Sequence, residues 1–99
     1  MTERRAAYRV DANQPAIVQA LRQIGATVQH LHMVGDGCPD ILVGYRGANY
    51  LFEIKQGPRS KMTKDEREWH EAWRGTVFVV TSPEQATEIV RTNPQELQI

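Results

Sequence analysis

Apolar residues recur along this chain in short runs of two different periods. Ile17, Val18, Leu21 and Ile24 fall on one helical stripe. Asp11 or Asn13 offers a cap, Pro15 sits in the first turn and Gly25 provides a stop, so the pattern predicts a helix from Gln14 to Ile24. Thr27 to Val34 reads as a strand and Gly35-Asp36-Gly37 as a turn. Two further strands follow, the first opened by Asp40 and the second closed by Glu53 and Lys55, with Arg46 to Asn49 between them. QGPRSKM is a loop by composition. Thr63 to Trp73 predicts a second helix, opened by the capping-box pair Thr63 and Glu66, with Trp69, Ala72 and Trp73 as its buried stripe. TVFVVT, from Thr76 to Thr81, is a continuous apolar run that suits a strand covered on both faces. Ser82-Pro83-x-Gln85 starts a last helix with Ala86, Ile89 and Val90 inward, and Asn93-Pro94 stops it. The order α-β-β-β-α-β-α predicts an α/β fold, a mixed central β-sheet flanked by helices.

The middle hairpin carries the chemistry. With a turn at Gly47-Ala48, Tyr45 faces Tyr50, Val43 faces Phe52 and Ile41 faces Ile54, giving one continuous apolar surface. Asp40, Leu42 and Gly44 then share the opposite face with Lys55, Glu53 and Leu51, and the three charges converge at one end. A slip of one residue would scatter them and break the apolar face.

Composition narrows the setting. The 99 residues suffice for one domain, expected over 11–99 after a flexible arm at 1–10. The sequence shows no run long enough to span a membrane and no signal-peptide segment, and Cys38 is the lone cysteine, so a soluble cytoplasmic protein is expected. Twelve basic residues balance twelve acidic ones, so an anion-binding site has to be local. Arg4, Arg5 and Arg9 form one basic cluster, and the loop after Lys55 carries another with Arg59, Lys61 and Lys64.

Two carboxylates a few ångströms apart repel by several kcal/mol at an effective dielectric of ~20. A single ammonium offsets part of this, whereas Mg²⁺ or Mn²⁺ is well matched to the hard oxygens of Asp40 and Glu53, with the Ile54 carbonyl as a third ligand. The alternative is an Asp40–Lys55 salt bridge with Glu53 solvated. His30 and His32 share a strand face but lack a matching second pair of zinc ligands, and Cys38 lacks a histidine partner.

At this point a resemblance enters. Pro39-Asp40, then Glu53-Ile54-Lys55, resembles the PD-(D/E)XK nuclease signature. Gly37-x-Pro39-Asp40-Ile41-Leu42-Val43-Gly44, Leu51-Phe52-Glu53-Ile54-Lys55 and Met62-Thr63-x-x-Glu66-x-x-Trp69-His70 together are similar to the small phage-type VRR-NUC nucleases, relatives of Holliday-junction resolvases. The resemblance implies a restriction-endonuclease-like core and a Mg²⁺- or Mn²⁺-dependent DNA endonuclease leaving 5′-phosphate and 3′-hydroxyl ends. It implies Asp40, Glu53 and the Ile54 carbonyl as metal ligands and Lys55 as the residue that orients or helps deprotonate water. Arg59, Lys61 and Lys64 are expected on the DNA backbone, DNA structure is expected to matter more than sequence, and a homodimer would pair two active sites. The sequence departs from the family in two places. Many relatives have a glutamate on the first helix, where this chain has Asn13 and Ala16, with Asp11 the nearest acid. Many have a glutamine in the helix after the loop, where this chain has Glu66. The departures keep open a catalytically silent nucleic-acid-binding or assembly module on the same scaffold.

Overall fold

The computed structural model describes residues 11–92; the arm expected at 1–10, with its three arginines, and the Asn93-Pro94 stop lie outside them. Helix α1 runs Gln14–Gln23, strand β1 Thr27–His30, β2 Ile41–Tyr45, β3 Ala48–Ile54, helix α2 Lys64–Ala72, strand β4 Val77–Val80 and helix α3 Pro83–Thr92. The sheet order is β1-β2-β3-β4, with the first two pairings antiparallel and β3–β4 parallel. Element order and fold class are those read from the sequence.

Local chemistry explains most boundaries. Helix α1 ends in a Schellman motif: Gly25, at φ +96°, donates to Arg22 O while Ala26 donates to Leu21 O. Thr63 and Glu66 close a reciprocal capping box on α2. At α3 the Ser82 hydroxyl accepts from Gln85 N, and Gln85 Oε1 accepts from Thr81 N. Gly37, at φ +82°, passes so close to the backbone of Asp65 and Glu66 that a Cβ would collide with it. The 35–37 turn is thereby seated on the first turn of α2.

One face of the sheet is sealed. Ile41, Val43, Tyr50, Phe52, Ile54 and Val80 meet Ile17, Val18 and Leu21 of α1 and Ala86 and Val90 of α3, all fully buried or nearly so. Tyr50 satisfies its hydroxyl by donating to Val90 O. The other face, under α2, is less covered.

Four local readings need correction. The hairpin turn is Arg46-Gly47, both at positive φ, rather than Gly47-Ala48. Ile41 therefore pairs with Phe52 and Val43 with Tyr50, two residues away from the expected register, and since side chains alternate with period two the buried face is unchanged. Strand β1 stops at His30 because Val34 N turns back to Leu31 O, leaving Met33 and Val34 exposed. Helix α2 buries no residue: Trp69 and Trp73 stack on each other at 4.6 Å, and Trp73 stays half exposed. Strand β4 is a sheet edge, sealed on one face only, and Val79 on its other face is exposed.

Candidate active site

The corrected register brings Asp40, one step beyond the Ile41–Phe52 pair, level with Glu53 rather than with Lys55. Asp40 N donates to Phe52 O, and Asp40 Oδ2 accepts from Ile54 N at 2.6 Å, so the acid is pinned to the end of β3. Glu53 is 2% exposed, and it points to the α2 face of the sheet. A carboxyl buried opposite another carboxyl resists ionising: burial first, then the charges of Asp40 and Glu66, push Glu53 up to about 10. Burial also moves Asp40 upward, against the Ile54 amide and a hydrogen bond from Glu53 that favour its charged form. Glu53 is thus held protonated at neutral pH, opposite a second carboxyl that is itself shifted upward.

Cations and donors frame this pair. Lys55 Nζ lies 3.9 Å from Glu53 Oε2 and donates to Glu66 Oε1 at 2.6 Å. Burial lowers the affinity of that ammonium for its proton, but the Glu66 hydrogen bond and the charges of Glu66 and Glu53 outweigh it, and the net shift is upward. Burial opposes ionisation of Glu66 too, yet the Lys55 and Thr63 hydrogen bonds draw it below its usual range. Glu66 therefore performs both duties the sequence left open, capping α2 through Thr63 N and holding Lys55. His70, one turn further along α2, puts Nε2 3.5 Å from Glu53 Oε1, without a hydrogen bond between them. Burial keeps this imidazole below its ordinary pKa. The i, i+4 spacing of Glu66 and His70 was the signal for that shared helical face.

Asn13 is not a side-chain cap. Its amide nitrogen donates to both Lys55 O and Thr81 O, each at 2.9 Å, which ties the start of α1 to the ends of β3 and β4. Asp11 stands close enough for its charge to raise both Asp40 and Lys55. Arg59 and Lys61 are exposed on the loop, and Lys64 opens α2 in an exposed pair with Glu68. None of the three has a hydrogen bond or ion pair with Asp40 or Glu53 among the described residues. Cys38 is a part-buried thiol shifted upward by burial and by Glu53 and Asp40, the reverse of an activated nucleophile.

No cluster of three or more His, Cys, Asp or Glu side chains suited to a metal is present among the described residues. The donor set nonetheless fits a hard divalent ion. Glu53 Oε1 and Asn13 Oδ1 are buried oxygens with no hydrogen-bond partner, and the opposed carboxyls of Asp40 and Glu53 need a positive charge between them in order to ionise together.

No family model matches the sequence, and no curated protein matches it. Among solved structures the chain is similar to a VRR_NUC domain, with a TM-score of 0.65 and 27% identity over 81% of this chain and 91% of that one. The fold and site thus define a structural relative of the PD-(D/E)XK nucleases. Within that superfamily the likeness is to the VRR-NUC branch.

Proposed function

We propose that this domain is a divalent-metal-dependent DNA endonuclease that hydrolyses phosphodiester bonds and selects DNA structure over sequence. The observation that carries the reading is the directly opposed Asp40–Glu53 pair, Glu53 fully buried and Asp40 partly so, with Lys55 beside it. Asp40 and Glu53, with the Ile54 carbonyl, would hold Mg²⁺ or Mn²⁺, which when bound acidifies water and polarises a phosphate oxygen. The chain's own residues do the rest. Lys55 stays protonated at neutral pH, so its ammonium supplies fixed positive charge to the phosphate as negative charge builds up there, rather than serving as a base. Glu66 aims that ammonium, and Asn13 fixes the carbonyl end of the lysine's own backbone unit. Arg59, Lys61 and Lys64 contact the DNA backbone, positioning it without reading bases. Among the described residues no element suits base-edge recognition in a major groove, which supports structure selectivity. A homodimer would set two such sites on one branched or double-stranded substrate.

The test is purified protein with Mg²⁺ or Mn²⁺ on linear, nicked, flapped and four-way DNA. Asp40→Ala and Glu53→Ala should each lower cleavage by ~100-fold or more. Full cleavage by either variant sinks the assignment. That the described residues bring no third acidic side chain into a metal cluster with Asp40 and Glu53 favours one other reading, a silent DNA-binding module, for which calorimetry would detect no divalent-ion binding dependent on Asp40 and Glu53.

A further inference from the structure

A cavity of about 660 Å³ opens between α1 and the end of β1, lined by Gln14, Pro15, Val18, Arg22, His30 and His32. It lies at the same end of the sheet as the carboxylate pair. Leu31, between the two histidines, donates its N–H to Asp40 O, and Asn13, next to Gln14, donates to Lys55 O. The cavity and the carboxylate pair thus share one end of the sheet, the cavity on its α1 face and Glu53 on its α2 face.

Its interior holds polar groups the fold does not use. Gln14 is 1% exposed, and its amide nitrogen lies 3.2 Å from His30 Nδ1. Gln14 Oε1 and His32 Nδ1 are buried with no partner. Whichever way the amide is turned, one end of it is left unpaired, at a cost of roughly 1–3 kcal/mol. Position 14 also stands three and four residues before Ile17 and Val18. A leucine there would extend the apolar stripe, yet the chain carries an amide.

We propose that this cavity receives one unpaired nucleobase of the substrate strand where that strand rounds the end of the sheet that carries Asp40 and Glu53. The inference rests on the nuclease reading above. A nucleobase is flat and apolar on its faces and carries donors and acceptors on its edge. Val18, Pro15 and the two imidazoles offer surfaces for the faces, Gln14 and His32 offer hydrogen bonds for the edge, and the Arg22 guanidinium suits the attached phosphate. With His30 occupying one end of the Gln14 amide, bidentate reading of a base is blocked, so the four bases should bind within ~10-fold of one another. Extruding a paired base costs a few kcal/mol, so DNA already unpaired at a branch, flap or loop is favoured.

Amide spectra of the isotope-labelled full chain in EDTA, titrated with the four deoxynucleoside monophosphates and with deoxyribose 5-phosphate, test this. The nucleotides should shift Gln14, Val18 and His32, and the sugar phosphate should not. Gln14→Leu should raise the melting temperature while weakening nucleotide binding by ~10-fold or more, a combination that a structural amide would not give. Arg22→Ala, at an exposed position, should weaken binding with the melting temperature unchanged. Asp40→Asn should keep the shifts and lose cleavage; cleavage retained in that variant defeats the nuclease reading and leaves the cavity untouched. Equal shifts with the sugar phosphate, no shifts at all, or a destabilised Gln14→Leu overturn the proposal. Shifts from ZnCl₂ but not from nucleotides would make this a two-histidine metal site and overturn it as well.

Discussion

Glu53 bears most of the site's electrostatic strain. Its pKa is raised from 4.5 to about 10, by burial first and then by Asp40. A group whose folded pKa lies above its unfolded one gives its full stability below the unfolded pKa and loses it as pH rises towards the folded one. Metal-free protein should therefore lose stability between about pH 4.5 and 10. His70 works in the other direction at the acid end: held below 6.5 by burial, it costs stability as pH falls through that region. Glu53→Gln removes the carboxylate but keeps the volume, and should stabilise the metal-free chain by ~1–2 kcal/mol at neutral pH and flatten its melting profile on the alkaline side. Mg²⁺ should raise the melting temperature of the wild type and leave the variant's unchanged. A destabilised Glu53→Gln would mean that the carboxylate serves the fold, through its 3.9 Å approach to Lys55.

Helix α2 joins a local signal to a distant one. Its capping box was legible because Thr63 and Glu66 are three residues apart, a spacing that sequence displays directly. The same Glu66 oxygen that accepts from Thr63 N also holds Lys55, eleven positions earlier, and only the folded chain reveals that. The hairpin follows the same logic. Alternation fixed which residues face the core, but it is blind to a shift of two, and a non-glycine residue, Arg46, at φ +50° gave no cue that the turn was tighter. That shift decided whether Asp40 opposes a lysine or a second acid. Trp69 and Trp73 misled for another reason: helical spacing cannot distinguish burial from self-stacking. Two substitutions separate the charge of Glu66 from its hydrogen bonds. Glu66→Gln keeps an acceptor oxygen for both Thr63 N and Lys55 but removes the negative charge beside the ammonium, so stability should change by less than ~0.5 kcal/mol while cleavage falls ~10-fold as Lys55 is held less firmly. Glu66→Ala removes both, adding a loss of ~1 kcal/mol in thermal melts. Equal activity in the glutamine variant and the wild type would show that Lys55 is placed without the charge of Glu66.

At the scale of the whole molecule the charges cancel, twelve against twelve, so attraction to a polyanion depends on where the cations stand. The described residues concentrate free cations where the chain leaves the site: Arg59 and Lys61 sit exposed on the loop between Lys55 and α2. Lys64 is nearby but shares its charge with Glu68 at 3.8 Å, an exposed pair worth only ~0.3–0.5 kcal/mol to the helix. A phosphate contact releases counterions, so each one lost should reduce the slope of log K against log salt by ~0.9 on duplex DNA. Arg59→Ala and Lys61→Ala should each show that loss in anisotropy titrations at varied salt, with affinity falling uniformly across DNA sequences and melting temperature unchanged. Lys64→Ala should show a smaller one, because its partner has already neutralised part of the charge. Identical slopes for all four proteins would place the DNA path away from this loop. The open face of the sheet, where Trp73 and Val79 are exposed, would offer such a path stacking in place of counterion release.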